Sequence, residues 1–239
     1  MLPMLLALDI GNTSITFGVF DGKNLVRSGR APSPSKLPVT EWAKIDKIIV
    51  ASVVPSREDE IEHLAVEKLK IEPHFVQHND IKMKIALTNK KEIGIDRLVN
   101  AYAAQKLYGA PAIVVDFGTA TTFCAVSEDG TYQGGAIAPG IEISRDALHD
   151  KTAKLPKIMI SDTDKAIGKD TVEAMKAGIY IGYIGLVNEL IKRFKHELGP
   201  AKVVATGGYA RMLSKAVNFD IIDELLTLKG LQMIAAEKG

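Results

Sequence analysis

Residues 5–22 read LLALDIGNTSITFGVFDG, and residues 113–130 read IVVDFGTATTFCAVSEDG. Each is an apolar run that closes on an aspartate, Asp9 or Asp116, with a glycine two positions later and small hydroxyl residues after it. A second strand-like run and an acidic-glycine turn complete both. A glycine at the crown of a tight turn suits a positive φ or the close approach of a ligand to the backbone. Backbone N–H groups there, helped by the Thr13 hydroxyl, can cradle phosphate oxygens. A carboxylate beside polyphosphate would repel it, so Asp9 makes sense if a Mg²⁺ with its waters lies between them. The alternative is that Asp9 and Asn12 simply cap a hairpin turn. The second copy weighs against that alternative, because two such turns, one per half, could face each other across a cleft and grip one nucleotide. Thr206-Gly207-Gly208, after the apolar run KVVA, adds a third glycine turn that would let an adenosine approach the backbone.

Such turns need rigid supports. Alternation and apolar runs predict strands over 4–10, 14–20, 24–30 and 47–53 in the first half. A helix is predicted from Pro55-Ser56 through Lys70, and a second from Asp96 to a C-capping Gly109. APSPSKLP (31–38) reads as loop, as does most of 80–95. The second half opens with strands at 112–117, 121–127 and 131–137, followed by an irregular stretch over 138–155. A long helix covers 170–198, a strand 202–205, a short helix begins at Tyr209, and a last strand and helix follow at 219–222 and 227–238. Gly178, Gly182 and Gly185 lie along the long helix, where each costs about 1 kcal/mol of propensity relative to Ala. Close packing against another element would explain them, either within the chain or at a dimer seam. Both halves open with the same hairpin and run strands before helices. This predicts an α/β duplication, with domains at 1–108 and 109–239.

Composition excludes some functions. The 239 residues carry 30 Lys and Arg against 29 Asp and Glu, a net charge of +1. That gives no global electrostatic case for nucleic acid or an anionic membrane. The single cysteine, Cys124, sits inside an apolar run and reads as a buried thiol in a reducing compartment. The start MLPMLLALDIG lacks a basic n-region and is too short to span a bilayer, so a cytoplasmic protein is expected. The five histidines show no metal-ligand spacing.

The order of these motifs resembles the acetate and sugar kinase, heat-shock protein and actin superfamily. More closely, the chain resembles type III pantothenate kinases. The matching pieces are DIGNTSITFGVFDG (from Asp9), SVVPS (52–56), GIDR (94–97), DFGTATT (116–122), GGAIAPG (134–140), TAKLP (152–156), GKDTVEAMKAG (168–178) and ATGGYA (205–210). They span nearly the whole chain in order. The resemblance implies two ribonuclease H-like (actin-like ATPase) domains, mixed sheets flanked by helices, with a nucleotide cleft between them. It implies ATP-dependent phosphorylation of pantothenate, with Mg²⁺ and a monovalent cation, K⁺ or NH₄⁺, by a homodimer.

Roles follow residue by residue. Asp9, Ile10, Gly11, Asn12, Thr13, Ser14, Ile15 and Thr16 would form the first phosphate-binding turn. Gly94, Ile95, Asp96 and Arg97 would hold pantothenate, with Asp96 as general base. Asp116 would bind the monovalent cation and Thr119 the ATP. Thr171 would touch pantothenate across the dimer interface. The chemistry is coherent with these roles. Asp96 opens a helix whose dipole should favour its ionised form, an ionised carboxylate can take the hydroxyl proton, and Arg97 can pair with the substrate carboxylate. Without the resemblance, Gly-Ile-Asp-Arg also reads as a helix cap beside a surface arginine. The chain departs from the family pattern at Ile95, where the family has Ala, and at Leu87 and Lys90, where it often has Tyr and Pro. Two rival readings stand beside the kinase. One is another small-molecule kinase or phosphatase of the superfamily, for which those departures speak. The other is a non-catalytic nucleotide-binding regulator, against which the joint presence of Asp9, Asp96 and Asp116 speaks.

Overall fold

The computed structural model of the chain describes residues 3–39, 42 and 44–238. The chain divides into two compact units, Met1–Lys106 with Leu225–Gly239 and Leu107–Glu224. The C-terminal helix, which the sequence reading grouped with the second half, thus belongs with the first unit.

The first unit is built on a five-stranded sheet. Strands β1 (Met4–Ile10), β2 (Ile15–Asp21) and β3 (Asn24–Ala31) form an antiparallel meander. β4 (Lys47–Ser52) lies parallel to β1, and the two-residue β5 (His74–Phe75) parallel to β4, giving the order β3-β2-β1-β4-β5. β1 is central and buried on both faces, which is why it reads as an unbroken apolar run. Its alternate residues Leu6, Leu8 and Ile10 join a core with Ile61 and Ala65 of the segment after β4. That segment opens as α1 (Pro55–Leu64), with Pro55 at the first turn, and widens into a π turn ending at Lys70 in the left-handed region. On the sheet packs α6 (Leu226–Lys238), and α2 (Ile95–Tyr108) meets α6 so closely that a Cβ on Gly230 would lie 2.6 Å from Val99.

The second unit repeats the plan. β6 (Ala112–Phe117), β7 (Ala120–Val126) and β8 (Tyr132–Pro139) form the meander, β9 (Lys202–Gly207) lies parallel to β6, and β10 (Ile221–Ile222) parallel to β9. The order β10-β9-β6-β7-β8 is the first sheet's order read from the other edge. Ile113, Val115 and Phe117 face a core supplied by α4 (Thr171–Leu198), including Tyr183 and Val187. α5 (Ala210–Leu213) follows β9. One prediction fails here. Residues 138–155 are not irregular: β8 runs to Pro139 and α3 spans Ile141–Asp150. Of α3 only Ile141 is buried, while Ile143 and Leu148 are exposed.

α4 is a continuous helix whose N-cap, Asp170, accepts a hydrogen bond from the Glu173 N–H at 2.8 Å. Its three glycines serve no close packing among the described residues. A Cβ on Gly178, Gly182 or Gly185 would meet nothing within 4 Å among the described residues. No helix among the described residues is long and apolar enough to cross a membrane.

Candidate active site

In the first unit, β1 and β2 stay paired down to Ile10 and Ile15, and Gly11–Ser14 form the crown. Ile10 and Ile15 are fully buried, so only their backbones can serve a ligand. Asn12 and Thr13 are exposed at the tip. Gly11 is engaged through both of its peptide groups. Its N–H donates to the Ser14 carbonyl at 3.1 Å, and its carbonyl accepts from Nη1 of Arg57 at 2.9 Å. Gly11 does not occupy the left-handed region, and an added Cβ would meet only the Ser14 carbonyl, at 3.4 Å. Of the two reasons for a glycine raised above, only the approach of a ligand is left.

Asp9 stands one residue before the end of β1, across from Thr16 on β2 and Ala51 on β4. By the alternation of a strand it faces away from the side of Leu8 and Ile10. After β4 the chain runs straight past the crown. The Val53 N–H donates to the Ile10 carbonyl at 3.2 Å, and the Val54 N–H to Oγ of Ser52 at 3.1 Å. Val53 also borders Gly94, where a Cβ would lie 3.7 Å from its Cγ1. Val53 thus joins the glycine turn to the second cluster, Gly94–Arg97.

That cluster opens α2. The Leu98 N–H donates to the Gly94 carbonyl at 3.2 Å, so Asp96 lies in the first turn. Gly94 is there because its neighbour leaves no room: a Cβ would fall 2.5 Å from Oδ1 of Asp96. Burial raises the Asp96 carboxyl above its ordinary value, opposed by backbone N–H groups of Arg97 and Asp96 and by the Arg97 charge. This reverses the sequence reading, in which the helix dipole was expected to hold the group ionised. Desolvation outweighs the dipole because the carboxyl is packed against its own turn. A carboxylate with a raised pKa is the stronger proton acceptor once ionised. The loop ahead of the cluster is firmly tied, with His78 Nε2 2.9 Å from the Ile93 carbonyl and Asn89 donating to Glu92 at 2.6 Å. Leu87 is half-buried in it, and Lys90 begins a short 3₁₀ turn.

In the second unit the matching residues gather at the equivalent sheet end. Asp116 lies across from Thr122 and Thr206, and Phe117 across from Gly207. Gly207 has φ of 86°, and a Cβ there would lie 2.6 Å from both Oδ1 of Asp116 and the Phe117 carbonyl. Gly118 and Thr119 are exposed, as is Gly208. Gly140 backs them so tightly that a Cβ would sit 2.1 Å from the Thr119 carbonyl. Thr121 is fully buried and shares a hydrogen bond with the Tyr183 hydroxyl, which gives this hydroxyl a structural use. Beyond the glycine turn, Tyr209 donates to Glu142 of α3 at 2.8 Å, and Arg145 pairs with Asp146 at 2.7 Å. Thr171 stands exposed at the start of α4, apart from these groups.

Sequence reasoning missed Arg57. In sequence, SVVPS stands out only by its resemblance, and the arginine after it reads as part of an ordinary helix. Its partner lies 46 residues away, so no local pattern signals the contact. Two of the histidines have partners of their own. His74 pairs with Asp80 at 2.7 Å, and His149 lies 2.8 Å from the Leu155 carbonyl.

The family described as type III pantothenate kinase matches residues 5–193. A curated type III pantothenate kinase from Dehalococcoides mccartyi is 45% identical, over 96% of this chain and 94% of its own length. One from Listeria monocytogenes is 42% identical, over 97% and 96%. Among solved structures, a protein assigned to the Baf family of transcriptional activators from Campylobacter jejuni aligns with a TM-score of 0.64 at 22% identity, over 98% of both chains. A 2-dehydro-3-deoxygalactonokinase protein from Sinorhizobium meliloti aligns with a TM-score of 0.64 at 13% identity, over 98% of this chain and 99% of its own. At such identities these two structures bear on the fold alone, and they agree with two mixed sheets of one topology, the duplicated ribonuclease H-like plan.

Proposed function

The chain belongs to the type III pantothenate kinase family, and from that premise we propose that it transfers the γ-phosphoryl group of ATP to the primary hydroxyl of pantothenate, the first step of coenzyme A synthesis. The observation that carries the reading is Asp96, an acid seated on a glycine at a helix start, with its carboxyl pushed up by burial and joined through Val53 to the glycine turn of β1.

In this reading Asp96 accepts the hydroxyl proton as the oxygen attacks phosphorus. Arg97 holds the pantothenate carboxylate, and Gly94 and Ile95 line the same pocket. The crown Gly11–Ser14, with the strand start at Ile15 and Thr16 behind it, holds phosphate oxygens through backbone N–H groups and the exposed Thr13 hydroxyl. Asp9 suits a hydrated Mg²⁺, because it is half-exposed beside that crown; the ion would neutralise phosphate charge. Thr119, Gly207 and Gly208 are assigned to the nucleotide. Asp116, against which Gly207 leaves no space for a side chain, is assigned to a monovalent cation. The compartment we assign is the cytoplasm.

The test is ADP release with pantothenate and Mg·ATP, in K⁺ or in Na⁺, comparing wild type with Asp96→Asn. Turnover should require pantothenate and K⁺, and the variant should lose about 10²–10⁴-fold in kcat, the usual worth of a general base. Wild-type ATP binding without pantothenate-dependent ADP would sink the substrate assignment. Full activity in Na⁺ would end the assignment of K⁺ to that site.

We assign the open glycine stripe of α4 to a second copy of the chain, with Thr171 reaching the partner's substrate. Three glycines whose Cβ positions meet nothing within 4 Å are costly in a monomer and useful at a close helix contact. Gly182→Glu should then sediment as a monomer where wild type sediments as a dimer. Equal sedimentation would end this assignment.

A further inference from the structure

Beyond the link made by Val53, the segment Ser52–Arg57 carries no role in the function above, although it touches both of the first unit's functional clusters. Val53 is bonded to Ile10 and borders Gly94. Arg57, four residues on, reaches back to the Gly11 carbonyl at 2.9 Å. An arginine is an odd choice for merely closing a carbonyl. Its side chain loses much rotamer freedom when held, and a neutral donor would satisfy the same oxygen. What only a guanidinium brings is a permanent, delocalised positive charge fixed in direction by its planar fork.

We propose that Arg57 is the positioning residue of the phosphate-binding turn: it draws the Gly11 carbonyl away from the anion and places a cation beside the crown. Both effects serve the same end. A carbonyl oxygen turned toward a phosphate would repel it, and in a four-residue crown the rotation of one peptide sets the direction of the next N–H. Gly11 is pinned on one side by its bond to Ser14, so the carbonyl is the remaining degree of freedom. Arg57 is half-buried, so solvent screens its field less than that of a surface lysine. Its backbone N–H is itself bonded to the Val54 carbonyl at 3.0 Å. That bond belongs to the first turn of α1. The residue acts through Gly11, on the ATP side of the reaction, and leaves the proton transfer to Asp96.

The inference rests on reading residues 9–16 as the ATP phosphate site, and the experiment separates the two. Steady-state kinetics with varied Mg·ATP and varied pantothenate would be run on wild type, Arg57→Gln and Arg57→Lys, with Tm measured for each. Gln keeps a donor for the carbonyl without charge, while Lys keeps the charge without the fork. We expect Arg57→Gln to raise KM for ATP about ten- to a hundredfold, the worth of a charged hydrogen bond. KM for pantothenate should stay within about twofold, and Arg57→Lys should fall between wild type and Gln. An unchanged KM for ATP in Arg57→Gln overturns the inference while the kinase reading stands. So does a parallel rise of both KM values with a lowered Tm, which would mark plain scaffolding, and so does a Lys variant no better than Gln. If Arg57→Gln does not fold, Arg57→Lys decides, since a wild-type KM for ATP there is equally fatal. A wild type without pantothenate-dependent ADP release overturns the kinase reading and takes the inference with it.

Discussion

The two sheet ends are built to one plan and equipped differently. Asp9 and Asp116 each stand one residue before the end of a central strand, each across from a threonine on the antiparallel neighbour, Thr16 or Thr122. Around Asp9 the first unit adds charge: Arg57 on the crown, then Asp96 and Arg97 at a helix start. Around Asp116 the second unit removes bulk. Gly207 and Gly140 press backbone against the acid and against Thr119, with no room for a Cβ at either place. The crowns differ too. Four residues separate the last pair in the first hairpin, Ile10 with Ile15, and three in the second, Phe117 with Thr121. A duplicated scaffold has thus diverged into an end that supplies charge and an end packed so closely that only glycine fits. In the function proposed above, the phosphoryl chemistry is assigned to the first, and the nucleoside and cation to the second.

If that contrast is right, the same small substitution should act oppositely at the two ends. The largest effect is expected from Gly207→Ala. It forces a side chain into the left-handed region and against Asp116 and the Phe117 carbonyl. Together these should cost about 1–3 kcal/mol, lowering Tm by roughly 2–4 °C for each of them in a chain of this size. Calorimetry at neutral pH would read it. A Tm unchanged from wild type would mean the second end has slack, and the contrast in space would fail.

How much of this was legible in the sequence follows from the range of the interactions. The hairpins were legible because a central strand buried on both faces is an uninterrupted apolar run, as in LLAL and IVV. The acids were legible because they break those runs. α3 was not, since it buries only Ile141 and offers no apolar run of its own. The packing of α6 on the first sheet was hidden because the residues it meets lie far up the chain. In one such meeting Gln232 donates to the Gly22 carbonyl at 3.0 Å, 210 residues away. The direction of the Asp96 shift was missed because sequence shows a helix start, and hence a dipole, but cannot show the crowding that desolvates the carboxyl. Arg57 failed for the same reason as α6. The order of the motifs carried the rest, and order does not report which peptide group each side chain finds.

A middling effect is expected at the charged end, and its sign is diagnostic. The Asp96 carboxyl is raised on folding, first by burial. A group with a raised folded pKa contributes stability below its unfolded value, and that contribution is lost as pH rises through the folded value. Wild type should therefore lose stability relative to Asp96→Asn as pH rises from the ordinary aspartate range through the raised value. Above it the variant should be the more stable and the less active protein. Tm measured for both between acidic and neutral pH tests this. A wild type that gains on the variant with rising pH would mean that Arg97 and the dipole, on which the sequence reading rests, outweigh burial. The same raised value should place the acid limb of the kcat/KM profile above the ordinary carboxylate range.

The smallest effect on stability is expected from Gly11→Ala, and it isolates the first end's use of its glycine. The residue has no positive φ, and the added methyl would meet only the Ser14 carbonyl, at ordinary contact distance. Folding should then change by no more than about 0.5 kcal/mol, as at an undemanding surface position. A phosphate held on the crown would meet that methyl directly, so KM for ATP should rise severalfold while Tm and KM for pantothenate hold. Set beside Gly207→Ala, this separates a glycine kept for the ligand from one kept for the fold. Should Gly11→Ala bind ATP as wild type does, the anion does not come close to this residue. The phosphate site would then have to rest on Thr13 and the strand end beyond it, and Arg57 would be holding a carbonyl for the sake of the turn alone.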